Sequence, residues 1–279
     1  LRWLLRRRCI GIGLRRRILH CRRFRRSAVA KDDKHARSQQ RGDQPASNAD
    51  RNRKPPLRIA RDRCSSTDRR DRLADKLGVR PGDTLQVSVA KIVMTRASGW
   101  TFQTLSPNVV DPEAVPRFPP REKTSWIIDT VTGRARLAEP PKSLADWSIP
   151  VEPMIGCFGV APALGQAIST ATSGRYGGNM DYRGFGAGVD VMFPVAAPGA
   201  LFYLGDVHAA QADGEIVGTG IETAAEITFT VKVMKGHKIG WPRGINSAEF
   251  FTIGNARPLD QALQHATTEM LDWLMADYG

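Results

Sequence analysis

Hydrophobic and polar residues alternate most cleanly in two stretches. Leu85, Val87 and Val89 are separated by Gln86 and Ser88, and residues 226–234 read EITFTVKVM. A period of two places successive side chains on opposite faces, so both stretches predict half-buried β-strands. Short apolar runs at 154–161 (MIGCFGVA), 189–195 and 200–204, set off by glycine and proline, predict further strands. Residues 127–138 read as two short strands across Thr132-Gly133, residues 216–234 hold two, and residues 250–253 one more. Between 96 and 125, prolines at 107, 112, 116, 119 and 120 exclude a long helix and predict a covering loop. Only the end of the chain changes period. There Leu259, Ala262, Leu263, Ala266, Met270, Leu271 and Leu274 recur at spacings of three and four, the pattern of an amphipathic helix. The fold class is therefore α+β, mostly β, with a C-terminal helix packed on a sheet.

Charge divides the chain more sharply than hydropathy does. The first 80 residues hold 26 Lys and Arg against 8 Asp and Glu, a net charge of +18, whereas the other 199 carry 15 against 20, a net charge of −5. Low hydrophobicity with high net charge cannot bury enough apolar area to offset the entropy of ordering. Residues 1–75 are accordingly expected to be a disordered basic arm or a mis-assigned segment, and residues 76–279 the folded domain. A basic arm is also what nucleic acid or an anionic membrane attracts, but the domain itself is mildly acidic, and neither is expected as its partner. Cys9, Cys21, Cys64 and Cys157 show no CxxC spacing, which argues against a thiolate zinc site and against a disulfide framework. No apolar run approaches the length of a membrane span, and CIGIGL at 9–14 is too short for a secretory signal, so the expected location is cytoplasmic.

Residues 177–222 have the composition of a site. They hold ten glycines, His208, and the acids Asp181, Asp190, Asp206, Asp213, Glu215 and Glu222. Such glycine density implies unusual backbone close to a ligand or to another strand. Asp206 and His208 stand at i and i+2, so an extended chain points both to one face, where one ion could reach them. Glu215 is harder to place. With Asp213-Gly214 as a two-residue hairpin turn, His208 would face Thr219, and Glu215 would lie four residues from the level of His208, about 13 Å at strand rise. Either 206–215 forms a compact irregular loop, or Glu215 has another role. Asn179 has an amide whose donor and acceptor match those of an amide ligand, but Asn also commonly bonds backbone in glycine turns. Glu222 could be a general base or a strand-end acid bonded to backbone.

In order, GGNMD at 177–181, FPV at 193–195, PGALF at 198–202, GDVHAAQADGE at 205–215 and GTGIE at 218–222 resemble the acetamidase/formamidase family of small-amide hydrolases. PGDTLQV at 81–87 is similar to that family's early strand, and the likeness runs more loosely from about Pro81 to the C-terminus. It departs at Ala212, where a glycine is usual, and upstream of Pro81, where Lys54-Pro55-Pro56 lies among arginines without the family's opening strand. The resemblance implies a β-sandwich or barrel-like body, hydrolysis of formamide or acetamide to ammonia and the carboxylate, and a homo-oligomer. It favours the compact loop at 206–215, with Asp181 brought in from GGNMD.

Amide hydrolysis needs an activated water and a polarised carbonyl, and a divalent metal supplies both. No GxSxG offers a competing serine nucleophile. The expected ligands are His208, Asp181, Asp206 and Glu215, and the ion is zinc first, with calcium or manganese as alternatives. Glu215, Glu222 and Asn179 are the candidate catalytic residues, Glu215 as ligand or base and Asn179 positioning the substrate carbonyl. The rival readings are a non-catalytic β-rich binding protein and a family member inactive for want of its N-terminal strand.

Overall fold

The computed structural model describes Leu19–Cys21 and residues 78–279. Its strands are β1 (Leu19–Cys21), β2 (Thr84–Met94), β3 (Ser98–Phe102), β4 (Lys123–Asp129), β5 (Arg134–Leu137), β6 (Ile149–Pro150), β7 (Met154–Gly159) and β8 (Ser173–Gly174). They continue as β9 (Gly177–Asn179), β10 (Asp190–Pro194), β11 (Tyr203–His208), β12 (Glu222–Thr223), β13 (Ala225–Met234), β14 (Arg243–Ile245) and β15 (Phe250–Thr252), and helix α1 (Leu259–Tyr278) follows. Two antiparallel sheets result. One is six-stranded in the order β1-β13-β2-β10-β14-β15, and the other nine-stranded in the order β6-β5-β4-β3-β12-β11-β7-β9-β8.

The sheets pack face to face because each strand offers one apolar side. Leu85, Val87 and Val89 of β2, Val191 and Phe193 of β10, and Ile227 and Phe229 of β13 meet Ile155 and Phe158 of β7 and Val207 of β11 in one core. The Phe158 ring is fully buried and is met edge-on by Phe185 at 4.8 Å and Phe193 at 5.3 Å. This is the mostly β body with a C-terminal helix that the alternation predicts, in the sandwich-like form that the resemblance implies. A bulge between Thr228 and Phe229 of β13 leaves Ala90 of β2 without a partner in the register. That extra residue shifts the phase, so the inward face passes from Val89 to Ile92 and Met94.

Several local expectations need correcting. The covering loop is interrupted by β3, because the prolines begin only at 107 and leave 98–102 free to pair with β4. Residues 200–201 are a turn and not a strand, with Ala200 at φ 59° and Leu201 at φ 48°, and β11 begins at Tyr203. Residues 243–245, which the pattern leaves unassigned, form β14. The helix is present, but its inner face is Ala262, Glu269 and Trp273, while Leu259, Leu263 and Leu271 are exposed. Glu269 is buried because it meets Arg243, a partner that periodicity cannot reveal. The expectation of a disordered or mis-assigned arm over 1–75 lies outside the described residues, apart from Leu19–Cys21, which pair with β13. Among the described residues no helix is long and apolar enough to cross a membrane.

Candidate metal centre

The site sits where β11 turns back into β12. His208 pairs directly with Glu222, and the N–H groups of Ala209 and Ile221 donate to Ile221 O and Ala210 O, so the two strands continue past the labelled ends before the chain loops through 211–220. This register differs from that of a tight hairpin, which would have set His208 against Thr219. The compact irregular loop is the arrangement observed, and it returns Glu215 to His208. Three of the acids reach inward from left-handed backbone: Asp181 at φ 42°, Asp206 at φ 57° and Glu215 at φ 43°. Each such residue costs about 1–3 kcal/mol, and strain of this kind concentrates at functional sites.

His208 is the hub. Its side chain is 1 % exposed, and its Nε2 lies 3.0 Å from Glu222 Oε1, 3.5 Å from Asp206 Oδ1 and 4.0 Å from Glu215 Oε1. Asp181, Asp206 and His208 bring ligand atoms within 4.8 Å of one another, and so do His208, Glu215 and Glu222. All the residues expected to bind metal therefore converge, and Glu222 joins them. Asn179 arrives by another route. Its Nδ2 donates to Asp181 Oδ2, so in this structure it orients a carboxylate. His237 lies elsewhere, with Nδ1 3.4 Å from Thr84 Oγ1, and His265 stacks on Trp241.

Glycine makes room for this cluster at two points. A Cβ on Gly156 would stand 2.6 Å from Asp181 Oδ1 and 2.8 Å from Asp206 Oδ2, so the two carboxylates occupy the space above that residue. A Cβ on Gly220 would stand 2.5 Å from His208 Cγ and Nδ1. Both glycines are small because charged groups pack directly on their Cα atoms.

Sequence reasoning overlooked Gln211. Its Oε1 lies 2.7 Å from His208 Nδ1 and its Nε2 donates to Asp181 O at 2.5 Å. A carbonyl can only accept, so the Gln211 amino group must face Asp181, leaving Oε1 to accept from Nδ1–H. The proton is thereby fixed on Nδ1, and Nε2 turns toward the carboxylates. The signal was present in the sequence, since Gln211 lies inside the GDVHAAQADGE motif, three residues after the histidine.

The electrostatics show what the cluster lacks. Burial, then the charges of Glu215 and Asp206, push the Asp181 carboxyl up to about 7. Burial also raises Glu215, with Glu222 and Asp206 adding to the effect against the pull of His208. Asp206 is lowered, first by the His208 imidazole beside it. Burial opposes charge on the imidazole, but pairing with Asp206 and Glu222 outweighs it and pushes His208 up to about 11. A field that strong takes up a cation, whether a proton at Nε2 or a metal ion. Geometry favours the larger cation. Glu222 Oε1 is close to Nε2 but out of line with a ring N–H, and both His208 Nε2 and Asp181 Oδ1 are buried without a hydrogen-bond partner. Buried polar atoms without partners are rare. These two belong to the same candidate ligand set, so one imidazole nitrogen and two carboxylates fit a divalent ion.

Residues 163–261 match the acetamidase/formamidase family. The matched segment contains Asn179, Asp181, Asp206, His208, Gln211, Glu215 and Glu222. The chain is 45 % identical over 60 residues to a putative formamidase of Schizosaccharomyces pombe, covering 21 % of this chain and 15 % of that protein. It is 31 % identical over 134 residues to an acetamidase of Mycolicibacterium smegmatis, covering 45 % of this chain and 32 % of that one. The crystal structure of an acetamidase from Yersinia enterocolitica superposes with a TM-score of 0.63 at 29 % identity, covering 72 % of this chain and 60 % of that one. The present chain thus spans less than two thirds of the length of each.

Proposed function

We propose that this protein hydrolyses the C–N bond of small primary amides, using a divalent ion held by His208, Asp181 and Asp206. The observation that carries the reading is the pair of unpartnered buried atoms, His208 Nε2 and Asp181 Oδ1, within a ring of carboxylates, inside the segment that matches an amidase family. Zinc is the first choice for one imidazole with carboxylate oxygens, and manganese and calcium are the alternatives. When bound, such an ion lowers the pKa of a water and polarises the amide carbonyl.

The residues around it supply proton transfer and orientation. A single imidazole lone pair serves one ion, and the unpartnered atoms favour the set with Asp181 and Asp206. Glu215 and Glu222 are then the carboxylates free to accept a proton from the attacking water and return it to the leaving nitrogen. Glu215 is the better base, because its raised pKa brings it closer to the working pH. Asn179 and Gln211 hold Asp181 and His208 in register, each through one hydrogen bond to a donor or acceptor of the set. Asn179 thereby gains a positioning role that its side-chain chemistry alone did not single out.

The test is ammonia release from formamide and acetamide after chelation and after reloading with zinc, manganese or calcium in turn. Turnover that disappears on chelation, returns with one ion and is absent in His208→Ala supports the reading. Full turnover in the chelated protein, or none under any ion, overturns it.

A further inference from the structure

A cavity of about 400 Å³ opens beside the metal centre. Asp206 and Glu222 belong to both, so whatever enters the cavity meets the cluster at one end. The volume is out of proportion to formamide or acetamide. Water in the liquid takes about 30 Å³, and pockets of about 300–1,000 Å³ hold drug-sized ligands. The lining mixes polar groups with a run of apolar side chains: Trp100 of β3, Leu204 and Val207 of β11, and Ala225 and Ile227 of β13. Walls of this kind gain by burying hydrocarbon, which a one- or two-carbon amide does not provide.

The cavity also holds a cation, Arg96. It stands on the turn between β2 and β3, which is tied down by Thr95 N–H donating to Ala224 O and Ile128 N–H donating to Ala97 O. Among the described residues Arg96 forms no ion pair, so it lies beyond 4.0 Å of the Asp206 and Glu222 carboxylates. The cavity thus brings together the Asp206 and Glu222 carboxylates, a run of apolar side chains and the Arg96 cation.

We propose that the substrate is a primary amide whose acyl chain carries a carboxylate, that is, the monoamide of a dicarboxylic acid. The amide end lies at the Asp206 and Glu222 end, the methylene chain runs along Trp100, Leu204 and Ile227, and the carboxylate pairs with Arg96. This deepens the amidase reading and rests on it for the reaction step: the C–N bond breaks, a C–O bond to water forms, and the products are a dicarboxylate and ammonium. Arginine suits the far end because its planar fork meets a carboxylate through two parallel hydrogen bonds.

The experiment compares ammonia release from acetamide, hexanamide and the monoamide of adipic acid, using the ion-loaded full chain and its Arg96→Gln and Arg96→Lys variants. The proposal predicts that the adipic monoamide exceeds hexanamide in kcat/KM by about ten- to hundredfold, the scale of a hydrogen bond to a charged group. Arg96→Gln should abolish that ratio and Arg96→Lys should restore part of it. A wild-type protein that favours acetamide or hexanamide, or an unchanged ratio in Arg96→Gln, overturns the proposal while leaving the amidase reading intact. A protein that turns over none of the three is assayed by calorimetry with adipate and hexanoate. Tighter adipate binding that is lost in Arg96→Gln then supports the cavity assignment although the hydrolase reading has failed, and equal binding of the two acids overturns it.

Discussion

Among the described residues, one ionic cluster is built on the buried pair Arg243 and Glu269 and another around the buried His208, and they are finished differently. In the first, Glu269 of α1 accepts from Arg243 Nε at 2.5 Å through one oxygen and from the Gly240 and Trp241 N–H groups at 2.9 and 3.0 Å through the other. Arg243 also lies over the Trp273 ring, 5.0 Å from its centre. Charges balance, both carboxylate oxygens are engaged, and the helix is fastened to the sheet. In the second, four carboxylates surround one imidazole, three of the acids sit on left-handed backbone, and two polar atoms have no partner. Complete satisfaction marks a cluster built for stability, whereas surplus charge with unpartnered atoms marks one built to bind something. The two should therefore fail differently when mutated.

Glu269→Ala should cause the largest loss of stability. Breaking one side of a buried pair leaves an uncompensated charge and costs about 3–5 kcal/mol. Denaturant unfolding should show that loss, while the folded fraction keeps its divalent ion. A drop in ion content in that fraction would mean that the two clusters are coupled. Glu215→Gln should do the reverse, lowering turnover by about 10²–10⁴-fold, the usual worth of a general base, with little change in unfolding midpoint. If it loses the ion instead, Glu215 is a ligand and not a base.

Gln211→Ala tests the tautomer argument. Removing the group that orients a histidine ligand typically costs about 10–100-fold in metal affinity. Titration with zinc against a competing chelator should show this, and Gln211→Glu, which still accepts from Nδ1–H, should recover part of it. Equal affinity in all three proteins would remove Gln211 from the site.

How much of this was readable in advance depended on whether a feature is local. The alternation around Val87 and Phe229 specified both strands, because a period of two survives any partner choice. The bulge opposite Ala90 was not readable, since it depends on how β13 is registered against β2. The helix was evident from its spacing, but its face was misassigned, because Leu263 and Leu271 stay exposed while Glu269 is drawn inside by Arg243. At the site, the glycines and acids announced themselves, and the i, i+2 spacing of Asp206 and His208 anticipated their closeness, although Asp206 stands on left-handed backbone and not on an extended strand. The closeness of Glu222 and Glu215 to His208 came from the loop at 211–220, whose left-handed turn at Glu215 no periodicity encodes.

The smallest expected effect separates the site from a carboxylate whose hydrogen bonds are all met, Asp83, which is itself buried. Asp83 accepts from Gly236 N–H, Arg80 N–H and Lys235 Nζ, which together hold its pKa at about 2, below its ordinary 3.8. A lowered folded pKa gives stability that is present above 3.8 and lost as pH falls toward 2. Thermal melts of the wild type should fall through that window, and Asp83→Asn should show a shallower acid limb with unchanged ion content. An acid limb of equal steepness would place the loss in other groups.

The central claim is that the unpartnered atoms of the second cluster mark a metal site. Its most direct test is elemental analysis of the protein after chelation, reloading with zinc and exhaustive dialysis, with His208→Ala and Asp181→Asn beside the wild type. The account predicts one retained ion per wild-type chain, none in His208→Ala and a reduced content in Asp181→Asn, with all three proteins folded. A wild type that retains no zinc, manganese or calcium, or a His208→Ala protein that retains as much as the wild type, would contradict it.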